Sequence, residues 1–290
     1  MRRFSKFICA LSLACAAFPA GAQEAEPDTD TRPHVGVMTT IPIFWGEPAE
    51  EAGDDFWGGL RSQHWALDAL GARYAVAPLD YLAAEELRHY DALFLAQPRG
   101  LTGEENVALD SYVRSGGRVL VLADPMMTGE SVFHIGDRRR PQDSVLLSPI
   151  LARWGVELHF DAGQAYGVTL REIAGQLVPL NMPGQFVVLD TQVAGDSCSL
   201  EADGLLARCR IGSGEVLLLA DAAVLDLEGP HEGARQALVM LTAHIFPDIG
   251  DGAGREREIP IEIGESPGNA PVATTGDADR AADQVRSGDE

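Results

Sequence analysis

Lysine is almost missing from this chain: Lys6 stands alone among 290 residues, and arginine supplies the remaining basic charge. Lys and Arg total 22 against 44 Asp and Glu, for a formal net charge of -22 and a pI near 4.6. A surface of that sign repels phosphate backbones and anionic headgroups, which argues against nucleic acid as a partner. Long apolar runs are also lacking. The N-terminal run over residues 7–18 falls short of the roughly 20 residues a spanning helix requires, so no stable membrane insertion of the mature chain is expected. There is no phosphate-cradling glycine loop and no paired-histidine zinc motif. Gly129-Glu130-Ser131 lacks the following glycine of a nucleophile elbow, and Gly195-Asp196-Ser197 does not stand at a strand-to-helix junction. No repeat of solenoid period is found. What remains, 46% hydrophobic and 23% charged residues, fits a folded globular domain and excludes a disordered, collagenous or coiled-coil chain.

Arg2, Arg3 and Lys6 precede the short apolar run, and Ala20-Gly21-Ala22 supplies small residues at the minus-three and minus-one positions of a cleavage site. Residues 1–22 are therefore expected to be a signal peptide, cut before Gln23, with the mature chain periplasmic or secreted. Of the four cysteines, Cys9 and Cys15 would leave with that segment. Cys198 and Cys209 would remain in an oxidising compartment, where pairing is the expectation and two free thiols the alternative. Asp203-Gly204 between them signals a turn joining two antiparallel strands.

An acidic leader over 23–33 is expected to be disordered, followed by one domain over 34–247 and a disordered acidic tail over 248–290. Within the domain, buried strands are predicted at 35–39, 74–77, 91–98 and 118–125, interleaved with helices at 58–70, 83–90 and from the capping box Thr102-Gly103-Glu104-Glu105 to Ser115-Gly116-Gly117. A polar, basic stretch over 126–143 reads as a loop over the sheet edge. A helix over 144–154, short strands at 156–160, 167–172 and 186–189, the cysteine hairpin, a further central strand in EVLLLAD and a closing helix over 231–246 complete the pattern. Nearly continuous apolar strands separated by helices predict an α/β fold with a doubly wound, mostly parallel sheet and an added disulfide hairpin.

The stretch DALFLAQPRGLTGEENVALDSYVRSGGRVLVLADP, residues 91–125, resembles a class I glutamine amidotransferase-like domain of the type found in auxiliary proteins of uncharacterised ABC transport systems and gliding-motility machinery. The resemblance extends over about 35–246 and implies a flavodoxin-like sheet. In true amidotransferases the corresponding strand leads into an elbow bearing a nucleophilic cysteine, whereas here it ends Ala123-Asp124-Pro125. The resemblance thus implies a non-enzymatic binding or assembly module without a cofactor, associated with an ABC permease or ATPase complex in the envelope or with a small polar ligand.

In an open parallel sheet, ligands bind beyond the carboxyl ends of the strands. Those ends carry Thr39, Thr40, Gln97, Arg99, Asp124 and Asp221. The two aspartates suit ligand hydroxyls or a cation, or alternatively cap a neighbouring loop. His134 with Asp137 is too weakly patterned to predict a metal site, and none is predicted. Phe44-Trp45-Gly46 and Phe56-Trp57-Gly58, with Glu47 nearby, offer stacking surfaces, the alternative being simple packing. Trp45, Glu47, Trp57 and His134 complete the candidate binding set. The run Arg138-Arg139-Arg140 either contacts an anion or neutralises the chain's own carboxylates. A periplasmic hydrolase using a serine with His64, His134 or His231, or a carboxylate pair, brought together by the fold, and a purely structural envelope protein, are the rival functions.

Overall fold

A computed structural model describes residues 30–46, 63–129, 131, 133–190, 193–225 and 230–248. The predicted signal peptide, residues 23–29 of the leader, Glu47, Trp57 and the tail beyond 248 lie outside the described residues. The elements in chain order are β1 (His34–Thr39), α1 (Trp65–Gly71), β2 (Ala75–Pro78), α2 (Ala84–Leu87), β3 (Ala92–Ala96), α3 (Gly103–Arg114), β4 (Arg118–Leu122) and α4 (Ser148–Arg153). There follow β5 (Val156–His159), β6 (Thr169–Ile173), β7 (Gln176–Leu180), β8 (Gln185–Val188), β9 (Ser197–Glu201), β10 (Leu206–Ile211), β11 (Gly214–Leu219) and α5 (Ala234–Ala243).

Seven strands form a mixed, mostly parallel sheet in the order β2-β1-β3-β4-β11-β10-β9. The first five are mutually parallel, and β10 and β9 continue as an antiparallel hairpin. Register explains why the strand sequences lack alternation. Val37, Phe94, Leu120 and Leu217 lie side by side across four strands, and the next row is Met38, Leu95, Val121 and Leu218. The first row belongs to a core shared with Leu70 of α1, Leu238 of α5 and Val178 of β7. The second belongs to a core shared with Tyr112 of α3, Leu151 and Trp154 at α4, and Phe186 of β8. Since each successive side chain meets a covered face, every position of a central strand must be apolar.

Local chemistry sets the element ends. Thr102 Oγ1 accepts from the Glu105 N–H at 3.2 Å while the Glu105 carboxylate accepts from the Thr102 N–H at 2.8 Å, so the predicted capping box opens α3. The helix ends where Gly116 adopts a left-handed φ of 104° and the Gly117 N–H reaches back to Tyr112 O at 2.9 Å. Cys198 and Cys209 face each other in register across β9 and β10 and are joined by a disulfide.

The helices expected over 83–90 and 231–246 cover only Ala84–Leu87 and Ala234–Ala243, the one expected over 58–70 begins at Trp65 among the described residues, and two further predictions need correction. The helix expected over 144–154 covers only Ser148–Arg153. The Val145 N–H is drawn to Asp124 O at 2.9 Å, which keeps residues 144–147 in the preceding loop, and Pro149 marks the true first turn. Strand β7 was not predicted at all. Pro179 disguised it, and its hairpin with β6 turns through Ala174 and Gly175, both at positive φ, without the Asn-Gly pair that usually announces such a turn.

Candidate functional site

The order of the parallel strands reverses between β1 and β3, so the carboxyl ends of those two strands flank the switch point where open α/β sheets hold ligands. Gln97, immediately after β3, is fully buried and has a left-handed φ of 46°. A side chain there is strained, and hydrogen bonds offset the strain. Its N–H donates to Leu122 O at 2.9 Å, and its carbonyl accepts from the Thr40 N–H at 3.2 Å and hydroxyl at 2.6 Å. Its Nε2 donates to Asp124 O at 3.1 Å and Gln142 O at 2.8 Å, while Oε1 accepts from the Asp124 N–H at 2.9 Å. This strand-end strain lies at Gln97, one strand away from the 123–125 segment compared above with the amidotransferase elbow.

Asp124 and Asp221 serve the same lattice. The Asp124 carboxylate accepts from the N–H groups of Met126 at 2.8 Å and Ala222 at 3.2 Å, tying the ends of β4 and β11 together. Asp221 accepts from Asn181 at 2.9 Å and from Ala223, which anchors the β7 end and the 3-10 turn Ala223–Leu225. The Thr39 hydroxyl closes a local turn with Ile41, and the Thr40 hydroxyl also accepts from the Gln142 N–H at 2.9 Å. Loop hydrogen bonding, the alternative weighed for the aspartates, thus accounts for the bonds seen to these carboxylates.

Arg99 turns away from this lattice. Its guanidinium holds the fully buried Glu105 carboxylate through two hydrogen bonds of 2.7 and 2.9 Å and donates to Asp80 O and Gly100 O. Burial pushes the Glu105 carboxyl up, but the Arg99 hydrogen bonds, the N–H groups of Thr102 and Leu82, and the Arg99 charge outweigh it and hold the group at about 2. Reciprocally, the bond to Glu105 raises Arg99 against the opposing effect of burial.

Above the ends of β1 and β2 lies a cavity of about 320 Å³, walled by Thr39, Thr40 and Trp45 on one side and by Phe133 and Arg138 of the 126–147 loop on another. That volume falls in the small-ligand range. Trp45 is 65% exposed, beyond what core packing explains. The loop neutralises most of its own basic charge. Arg139 chelates Asp137 at 2.7 and 3.0 Å and stacks over the Phe133 ring at 4.2 Å. Its hydrogen bonds hold the Asp137 carboxyl well below the usual range. Arg140 binds Asp143 at 3.0 Å and Phe133 O at 2.9 Å. Arg138 has no hydrogen bond or ion pair among the described residues and lines the cavity.

The structure therefore gathers Thr39, Thr40 and Trp45 at one cavity and sets Gln97, Asp124 and Asp221 in the hydrogen-bonded lattice beneath the strand ends. His134 stands outside, its side chain 84% exposed and 4.0 Å from Asp137. Glu47 and Trp57 lie outside the described residues. Among the described residues no group of three or more His, Cys, Asp or Glu is placed to hold a metal, and no helix is long and apolar enough to cross a membrane. Sequence reasoning missed Asp80 and Phe133 as cavity residues and offered Arg138 only as one of three arginines that either contact an anion or neutralise the chain's own carboxylates. Asp80 was accessible to the strand-end rule, because it stands two residues past the end of β2; Arg138 could not be singled out, because nothing in three consecutive arginines says which one lacks a carboxylate.

No curated protein matches this chain. Among solved structures, the mmIFT52 N-terminal domain aligns at 17% identity with a TM-score of 0.44, over 73% of this chain and 95% of that one. An exo-beta-1,4-mannosidase from Opitutaceae bacterium strain TAV5 aligns at 13% and 0.43, over 75% of this chain but 37% of the enzyme. A cytoplasmic protein from Salmonella typhimurium aligns at 12% and 0.41, over 74% of this chain and 100% of that one. Likenesses this distant carry neither fold nor activity across. The family profile described as an ABC-type uncharacterized transport system matches residues 32–167, from β1 through β5 and including the strand-end cavity, and over that part the chain is similar to this family.

Proposed function

We propose that the protein is an exported, non-enzymatic binding or assembly module that serves as an auxiliary component of an ABC-type transport system. The observation that carries the reading is the family match over residues 32–167, which contains the strand-end cavity above β1 and β2. Gln97, Arg99, Asp124 and Asp221 are engaged with backbone groups or with Glu105, so the binding reading rests on the cavity beside them. The strand order β2-β1-β3-β4-β11 supports a flavodoxin-like, amidotransferase-like sheet. Export rests on the signal-like segment 1–22, with Gln23 the expected mature N-terminus.

Photo-crosslinking in intact envelopes, with probes at Trp45 and His134, tests the assignment. Recovery of a permease or ATPase subunit is expected. A full-length N-terminus, or clean controls with no transport subunit captured, would overturn it. Amine-directed reagents are unsuited, since the single lysine lies in the segment expected to be removed.

A further inference from the structure

We infer that the cavity above β1 and β2 binds a small zwitterion with an apolar body, of the amino acid or short peptide class. This ligand class rests on the reading of the strand-end face as a binding face, and not on the transport assignment. The wall combines Ile41, Phe44, Trp45 and Phe133 with three charged side chains, Asp80, Arg138 and Arg139, of which Arg139 is committed to Asp137, leaving one cation and one anion. Neither the Asp80 carboxylate nor the Arg138 guanidinium has a hydrogen bond or ion pair among the described residues, and both residues are exposed. Arg99 feels the Asp80 charge, but its nitrogens are already bonded to Glu105 and to backbone carbonyls. Two opposite charges on one cavity, not paired with each other, repel a pure anion or a pure cation at one end and complement a molecule that carries both.

A sugar is the competing occupant, because Trp45 would stack on it. A sugar also needs several donors and acceptors spread around its ring, however, and the two threonine hydroxyls of the wall are already bonded to Ile41, Gln97 and Gln142. The polar side chains left over are one cation and one anion. The loop leaves the cation available: Arg139 and Arg140 pair with the flanking carboxylates Asp137 and Asp143, and Arg139 packs on Phe133. Arg138 can form a bidentate, charge-assisted contact with a ligand carboxylate, and Asp80 can accept from an ammonium group.

Titration calorimetry on the purified chain, with L-leucine and L-leucyl-L-leucine as probes, tests the inference. At least one zwitterion should bind, and its N-acetyl and C-terminal amide derivatives should each bind about tenfold more weakly, the scale of one lost charge-assisted contact. Arg138→Gln should abolish the preference for a free carboxylate and Asp80→Asn the preference for a free amine, with circular dichroism unchanged. No heat from either zwitterion, equal affinity for the blocked derivatives, or saturable binding of maltose instead would overturn it. Capture of a transport subunit by a chain that ignores both zwitterions would sink this inference and leave the transport role standing; the reverse pattern would do the opposite.

Discussion

At the scale of single residues, the Arg99–Glu105 pair is the clearest case of a charge held by its surroundings. Glu105 is fully buried and held at about 2, against an ordinary value of 4.5, so the folded state binds its proton less readily than the unfolded chain. Its stabilising contribution is present above the ordinary value and is lost as pH falls toward the folded one. Arg99 is partly exposed, which moderates the effect to on the order of 2 kcal/mol. Urea midpoints should therefore fall between about pH 5 and about pH 2 in the native protein, and Glu105→Gln should flatten that part of the profile. An unchanged profile in the variant would show that Glu105 does not carry this dependence. Asp124→Asn should cost roughly 1–3 kcal/mol, because an amide accepts through one oxygen and sets an NH₂ against a backbone N–H where the carboxylate accepts two. Denaturant unfolding reads this directly; a cost near zero would indicate that the two strand ends are held by other bonds. Asp124 and Asp221 were legible in the sequence as strand ends, since each terminates an apolar run. Their use as acceptors for Ala222 and Asn181 was not, because those donors belong to segments distant in the chain.

At the scale of elements, close backbone approaches and cross-strand links set the tolerances. A Cβ on Gly214 would overlap the carbonyl oxygens of Val113 and Gly117, backbone atoms that cannot turn aside. Gly214→Ala should cost more than about 2 kcal/mol by forcing α3 away from β11. Gly103, at the start of α3, has nothing within 4 Å of an added Cβ, and Gly103→Ala should be neutral or stabilising by about 0.5 kcal/mol. Parallel thermal and denaturant melts compare the two, and similar losses would contradict the packing argument. Cys198→Ser with Cys209→Ser opens a loop closed over a sequence separation of 11. It should lower stability by roughly 2–3 kcal/mol, as should reduction of the native protein; melts that do not respond to reductant would refute this. The hairpin was legible from Asp203-Gly204 between two cysteines, whereas β7 was not: its pairing is stabilised by burial of Val178 and Leu180 against the α5 side of the sheet, a contact with no local signature.

At the scale of the whole molecule, a net charge of -22 makes self-repulsion a standing cost of the compact state. Raising ionic strength from about 10 mM to about 150 mM shortens the Debye length from about 30 Å to about 8 Å, so the melting temperature should rise by a few degrees. A fall on adding salt would mean that attractive pairs such as Arg114–Asp196 and Arg139–Asp137 outweigh the net repulsion. Charge sign and the strand runs are properties of composition and of period along the chain. They determined, without coordinates, an acidic α/β protein with a mostly parallel sheet and a cysteine hairpin, because burial on two faces demands apolar residues whatever covers them. The tertiary structure alone decided which polar strand-end residues keep unsatisfied chemistry. Thr40, Gln97, Asp124 and Asp221 are bound to partners brought from 57, 27, 98 and 40 positions away, while Arg138 and Asp80 meet at one cavity from different loops. Hydrogen bonding and charge pairing act through space over a few ångströms, and sequence distance does not encode that separation.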